Sequence, residues 1–284
     1  MQENILVLGA TGTVGGAVIA RLQNESVQVI AAVRDLHKGE FGAEVQRRHL
    51  DFADVSTFAP AVAGIDRVFM IAPPFLEDVP GVFRQLVAAI RAAGVQQVVL
   101  STALGANLDP NGSLYQVEEA LTGSGVPYTL LRPNFYAQNF ITYDAEHTRR
   151  GIIFLPAGDG AASYIDVRDI AEAAVAAFQG PAHLGKAYDL TGSEAFTLSQ
   201  VAALFSDLTG RSFQYLNPSP EEFGTRMASY GLPPIAIATL QGVYTIFREG
   251  FAAGVTPDFE ALTGKAPRTF RSFAAEFIAA GQPV

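Results

Sequence analysis

The feature that most constrains this chain is the join between its first apolar run and its first glycines. Ile5-Leu6-Val7-Leu8 passes without a spacer into Gly9-Ala10-Thr11-Gly12-Thr13-Val14-Gly15-Gly16. Four consecutive apolar residues suit a strand buried on both faces, as in a parallel sheet. The glycines then permit a tight turn into a helix. A strand, turn and helix of this kind presents free backbone N–H groups and the positive end of a helix dipole to a pyrophosphate. The spacing here is G-x-x-G-x-x-G and not the commoner G-x-G-x-x-G, and its place directly after an apolar strand makes nucleotide binding the expectation.

The same strand–helix rhythm continues through the first half. Strands are expected at 5–8, 27–33, 45–50, 68–71, 98–100 and 128–131, with helices at 14–23, 55–62, 79–93 and 114–121. In the third helix Val82, Phe83, Leu86, Val87 and Ile90 recur at helical spacing while Arg84, Gln85 and Arg91 fall elsewhere, which marks an amphipathic helix covering a sheet. Alternating strands and helices imply right-handed crossovers and a parallel sheet with helices on both faces. The fold class expected is therefore α/β, a doubly wound parallel sheet of the Rossmann type. After Leu131 longer helical patterns and Pro/Gly-rich connections take over, and short strands are expected near 152–155 and 187–190. The expected organisation is a dinucleotide domain over 1–134, with segments near 152–170 and 187–190 returning to it, and a smaller C-terminal substrate lobe formed mainly by 135–284.

Composition narrows the function. The chain holds 19 Lys plus Arg against 28 Asp plus Glu, a net charge of −9, and only three lysines, Lys38, Lys186 and Lys265. Direct binding to nucleic acid is disfavoured, because that affinity needs cations to displace counterions. With no Cys, disulfides, thiolate metal sites and cysteine nucleophiles are excluded. His37, His49, His147 and His183 show no metal-ligand spacing, so no metal is expected. No basic, apolar and small-residue leader precedes the first strand, and a cytoplasmic location is expected. The uncharged stretch Met227–Phe247 is interrupted by Pro233-Pro234, Gly231 and Gly242 and does not suit a membrane span.

The second strand runs into Val33-Arg34-Asp35. An acidic residue there binds a ribose diol, whereas an arginine pairs with a 2′-phosphate. Arg34 comes first, which favours NADPH over NADH. Asp51-Phe52, after the third strand, either hold the adenine or form an ordinary cap and a core side chain.

Gly9-Ala-Thr-Gly-Thr-Val-Gly15, Val33-Arg34, Leu50-Asp51-Phe52, Val126-Pro-Tyr-Thr-Leu-Leu-Arg-Pro133 and Ile165-Asp-Val-Arg-Asp-Ile170 follow one another as in the NmrA-like group of atypical short-chain dehydrogenase/reductases, which the chain resembles over nearly its whole length. Tyr188-Asp-Leu-Thr-Gly192 and the helix at 197–204 also look like that group. It includes NADPH:quinone oxidoreductases, a triphenylmethane-dye reductase and non-catalytic redox-sensing regulators. The resemblance implies an extended Rossmann domain with a smaller C-terminal substrate lobe; it leaves the reaction open. The dinucleotide site expected comprises Gly9, Thr11, Gly12, Thr13, Val14, Gly15, Arg34, Asp51, Phe52, Ala72, Pro73, Ser101, Pro133 and Phe135.

Typical short-chain dehydrogenases set Tyr and Lys one helical turn apart, so that the ammonium lowers the phenol pKa. No Tyr here has a Lys four residues later; Tyr115 has Glu119 in that place, and an acid there opposes phenolate formation. Aligning Glu118 and the Ser124-Gly125 turn with the group instead puts Leu114 at the lysine position, and the dyad is absent either way. Hydride addition to a simple ketone makes an alkoxide that needs a proton donor. Addition to a quinone makes a phenolate-like anion whose conjugate acid has a pKa of about 10, which solvent or a weak donor can satisfy. The expected activity is NADPH-dependent reduction of a quinone-like or other conjugated small electrophile, with protons from Ser101, Tyr115 or solvent. Substrate contacts are expected from Phe75, Asn134, Tyr136 and Tyr164, at or near strand ends. The alternative is a non-catalytic NADP-binding sensor acting through a protein partner; self-association is left open.

Overall fold

The computed structural model describes residues 2–73, 76–142 and 144–279. The chain divides into two compact units, 1–133 with 167–190 and 258–265, and 134–166 with 191–257 and 266–284.

Unit 1 is a seven-stranded parallel sheet with helices on both faces. Its elements are β1 (Glu3–Val7), α1 (Thr13–Leu22), β2 (Val27–Val33), β3 (Gln46–His49), α2 (Phe58–Val62), β4 (Arg67–Ile71), α3 (Val79–Ala92), β5 (Gln97–Ser101), α4 (Ser113–Thr122) and β6 (Tyr128–Pro133). The chain returns later to add α6 (Val167–Phe178), β9 (Lys186–Leu190) and α10 (Asp258–Thr263). The strand order is β3-β2-β1-β4-β5-β6-β9, every pair parallel. The order reverses at β1, so a crevice is expected beyond the carboxyl ends of β1 and β4.

The apolar runs are continuous because both sheet faces are covered. Leu6, Leu8, Ile30, Val68, Met70, Val98 and Leu100 pack with Phe58 of α2, Phe83, Leu86, Val87 and Ile90 of α3, and Val117 and Leu121 of α4. Ile5 and Val7 alternate with them along β1 and are also buried. On α3 the four inward residues Phe83, Leu86, Val87 and Ile90 are no more than 3% exposed, each worth about 1.5–3 kcal/mol of burial. Asp78 begins this helix by accepting a hydrogen bond from Gly81 N, the side-chain cap that fixes its register. Across α1 and α6, Glu172 joins Arg21 to Lys265, so three separated stretches of sequence meet in one ion network. Glu172 is held below the usual carboxylate range, chiefly by its hydrogen bond to Arg21.

Unit 2 contains α5 (Ala145–Arg149), β7 (Ile152–Phe154), β8 (Ala161–Ala162), β10 (Phe196–Thr197), α7 (Leu198–Thr209), β11 (Gln214–Leu216), α8 (Pro220–Ser229), α9 (Pro234–Arg248) and α11 (Phe270–Ala279). Two two-stranded sheets, β8 with β10 antiparallel and β7 with β11 parallel, brace the helices. Reciprocal capping boxes, Thr197 with Gln200 and Ser219 with Glu222, begin α7 and α8. The core is aromatic: Phe140 meets Tyr164, Phe205 and Phe270 at ring separations of 5.3, 5.6 and 5.7 Å.

The return of β9 to the large sheet agrees with the expected strand near 187–190. The segment near 152–170 divides. Ile152–Phe154 pairs with Gln214–Leu216 inside unit 2, because its apolar residues are completed by β11; only from Val167 does the chain rejoin unit 1. Residues 258–265 also belong to unit 1, which the sequence pattern did not suggest. The uncharged stretch 227–247 is split by a break before α9, and among the described residues no helix is long and apolar enough to cross a membrane.

Candidate functional site

The glycine turn lies at the carboxyl end of β1. Gly9 has φ +65°, where a side chain is strained, and a Cβ there would also stand 2.7 Å from Ile71 Cγ2. Gly12 N donates to Gly9 O at 2.8 Å and closes the turn. At Gly15 an added Cβ would lie 2.2 Å from Gly9 O and 2.5 Å from Gly9 C, so α1 rests directly on the turn backbone. Gly12 is the N-cap of α1, makes no side-chain cap and is followed by no acidic residue in the first turn. Thr11, Gly12 and Thr13 are exposed, while Val14 and Gly15 are buried. A helix start with unmet N–H groups, no capping side chain and no carboxylate is suited to an anion. A recess of about 260 Å³ borders it, lined in part by Thr11, Gly12, Gly16, Gln23 and Phe41.

The remaining unit 1 candidates sit along the same edge. Arg34 follows β2 directly and is exposed, with no ion pair or hydrogen bond among the described residues. Asp35 accepts from His37 N and so serves the local turn. Asp51 likewise accepts from Ala53 N. Phe52 stacks on Phe83 at 5.6 Å and meets Phe58 edge-on at 6.4 Å. Both contacts fit the ordinary cap and core side chain as well as an adenine site. Ala72 and Pro73 follow β4 half-buried. Phe75 lies outside the described residues. Ser101 ends β5, is 2% exposed, and its buried hydroxyl has no partner among the described residues; Pro133 ends β6.

Behind these strand ends lies a network that sequence reasoning missed. Glu118 of α4, 4% exposed, receives the guanidinium of Arg132 (β6) at 2.7 and 3.0 Å and the hydroxyl of Thr102 at 2.6 Å. Hydrogen bonding to Glu118 holds the Arg132 pKa above its ordinary value. An Arg fourteen residues beyond a Glu has no local pattern, so only the packing of α4 against β6 brings them together. Tyr115 shares with Glu118, Glu119, Arg132 and Lys186 a recess of about 310 Å³. Tyr115 and Ser101 therefore have different surroundings: a recess lined by charges of both signs for one, a buried strand end for the other.

In unit 2, Asn134 is buried and its amide donates to Ser163 Oγ and Ala252 O, both at 2.7 Å. Its oxygen accepts from Phe135 N. It is a loop brace, with its hydrogen-bonding groups already engaged. Phe135 packs edge-on against Phe247 at 5.0 Å. Tyr136 pairs by its backbone with Ile165. Tyr164 is 4% exposed, lies among Phe140, Phe247 and Phe270, and its hydroxyl is buried without a partner among the described residues. Among the described residues no group of three or more His, Cys, Asp or Glu side chains could hold a metal.

A parallel doubly wound sheet with a glycine turn at the point where its strand order reverses defines a Rossmann-type α/β protein. Residues 1–272 match the NmrA-like family, and the chain belongs to it. Over 282 residues it is 33% identical to an NAD(P)H azoreductase of Xenophilus azovorans, covering 97% of this chain and 98% of that one. Its structure is similar to that of an NADPH-dependent quinone oxidoreductase from Escherichia coli complexed with NADPH, with a TM-score of 0.83, 26% identity and coverage of 96% and 99%. A Citrobacter triphenylmethane reductase complexed with NADP(H) gives a TM-score of 0.82 at 26% identity, covering 96% and 99%.

Proposed function

We propose that this protein is an NADPH-dependent reductase of quinone-like or other conjugated small electrophiles. The observation that carries the reading is the start of α1, closed by glycines on the turn backbone, without a cap and without an acid. The named activities of the azoreductase, quinone oxidoreductase and dye reductase relatives support the conjugated acceptor. In this reading the N–H groups at 13–15 hold the pyrophosphate and Arg34 holds the 2′-phosphate. A bound reduced nicotinamide supplies a hydride. The chain's own residues orient the dinucleotide along the strand ends, where Ser101 offers an unpartnered hydroxyl. Tyr115 has Glu119 and not a lysine four residues on, so the Tyr–Lys pair of a ketone reductase is absent, which favours acceptors whose reduced anion is only weakly basic. The direct test is the loss of nicotinamide absorbance on mixing with quinone and azo panels. Tight NADPH binding with no oxidation by any acceptor would favour a sensing role instead.

Two expected results belong to this reading. Arg34→Ala should weaken NADPH by roughly ten- to a hundredfold, the scale of charge-assisted hydrogen bonds of about 1.5–3 kcal/mol, and leave NADH nearly unchanged. Fluorescence titration with both cofactors checks this; equal losses would remove Arg34 from the phosphate site. Tyr115→Phe should lower the maximal rate with a quinone by less than about tenfold, well short of the 10²–10⁴ of a general acid. Little turnover is expected with an aliphatic ketone. Efficient ketone reduction by the unmodified protein would mean that another donor replaces the dyad.

A further inference from the structure

We propose that the exposed face of α9 is a self-association surface, on which a second copy of this chain packs its own α9 antiparallel about a two-fold axis. The association is independent of the reaction the protein performs.

Exposed apolar side chains are not spread evenly over the protein. Of the eleven large ones among the described residues, six lie between 230 and 255: Tyr230, Ile235, Val243, Ile246, Phe251 and Val255. Three of them stand on α9, whose inward side is already filled by Ala236, Tyr244 and Phe247. Ile235 and Ile246 are each 52% exposed. With Thr239 and Gly242 they recur at steps of four, three and four residues, the spacing of a helix–helix seam. Ala238 and Val243 flank this stripe and are also exposed. The hydroxyls of Thr239 and Thr245 donate back to Ile235 O and Gln241 O, so the stripe presents methyl groups in place of unmet donors. From 227 to 247 the chain carries no charge. An apolar face about 16 Å long on a protein of net charge −9 marks an interaction surface.

What fits this face is the face itself. An antiparallel pair whose axis is level with the middle of α9 sets Ile235 of one copy against Ile246 of the other, Ala238 against Val243, and Thr239 against Gly242. Large side chains meet at the two ends, and each pair nearer the middle includes a small residue. An isologous interface requires this kind of self-matching. A Cβ added at Gly242 would meet nothing within 4 Å, so the helix is open at its middle and a second helix can approach closely there.

Charge complementarity points to the same occupant. α9 begins without a side-chain cap and without an acidic residue in its first turn, so no acid of its own first turn answers the positive end of its dipole. Glu249 caps the other end and is exposed, a place where its own helix disfavours an acid. In the antiparallel pair, Glu249 of each copy comes level with the N-terminus of the other α9, and the two-fold axis makes this contact twice. The neighbouring Arg248 is engaged with Pro156 O. A single helix pair is a small interface beside the about 800 Å² per partner of a stable complex, so the dimer is reversible and forms in the micromolar range.

Sedimentation equilibrium of the full chain over a range of concentrations should show a monomer–dimer equilibrium. Ile235→Lys and Ile246→Glu, each alone, should weaken dimerisation at least ~tenfold, because each places an unpaired charge in the seam. An equimolar mixture of the two variants should dimerise again to within about threefold of the original, since the antiparallel register sets the two substituted positions against each other. Both positions are exposed, so an unchanged melting temperature checks folding. Protein that stays monomeric at every concentration, or a dimer that neither substitution weakens, would overturn the pairing. So would a mixture that stays monomeric while both variants melt normally. If the chain is monomeric but sediments with phosphatidylcholine vesicles, and either substitution abolishes this, the face belongs to a lipid surface and the pairing falls.

Discussion

Gly15→Ala should abolish cofactor binding and strongly destabilise the protein. The new Cβ would stand 2.2 Å from the carbonyl oxygen of Gly9, and the obstacle is backbone, which cannot rotate away as a side chain can. The first turn of α1 must move off β1 or the glycine turn must open. Overpacking a core typically costs about 1–3 kcal/mol, and this contact should exceed that range. NADPH binding should fall at least ~100-fold, equivalent to about 2.7 kcal/mol. Gly16→Ala is the comparison, since its Cβ would sit at an ordinary 3.7 Å from Ala10 O, and in a helix alanine is favoured over glycine by about 0.5–1 kcal/mol. Thermal denaturation and NADPH titration of the two variants separate a general glycine effect from the specific approach of helix and turn. A Gly15→Ala protein that melts and binds like the original would refute this account of the turn.

Arg132→Met should be comparably damaging for a different reason. It would leave Glu118 buried with the Thr102 hydroxyl as its remaining side-chain partner, and removing one member of a buried ion pair costs about 3–5 kcal/mol. Glu118→Gln should cost less, because Arg132 retains Asp189 at 3.7 Å and is itself less buried. The double replacement should cost less than the two single losses added together, since the groups interact directly. Urea denaturation of the three variants measures this. Strict additivity would mean that the pair contributes nothing as a pair.

The parts of the fold legible in the sequence are those where one local pattern decides the outcome. Val27–Val33 is a strand because its apolar run fills both faces, and Val79–Ala92 is a helix because its apolar residues share one side. Gly9, Gly12 and Gly15 were legible because turn chemistry and helix approach operate within seven residues. The Glu118–Arg132 pair was not, since only the packing of α4 on β6 in the finished fold brings its members together. The substrate-contact candidates beyond Pro133 show the same limit. Asn134, chosen for its place after a strand, spends its amide on Ser163 and Ala252. Sequence gives residue types at strand ends; their free valences depend on which loop they brace.

The interleaving of the two units along the chain bears on how the protein is made. When Pro133 leaves the ribosome, six of the seven strands of the large sheet exist, but α6 and β9 do not. The inner side of α1, with Val14, Val18 and Ile19, then has no helix to pack on, and β6 presents an open edge. The third contributor to the Glu172 network, Lys265, arrives only near the end of synthesis. The nascent dinucleotide domain thus carries exposed apolar surface and an unpaired strand edge until Leu190 has been made, the condition under which chains recruit chaperones or aggregate. Expression yield should accordingly respond to translation speed and chaperone supply more than the stability of the finished protein would suggest, and no stop codon placed at the first boundary would release a self-sufficient nucleotide-binding fragment.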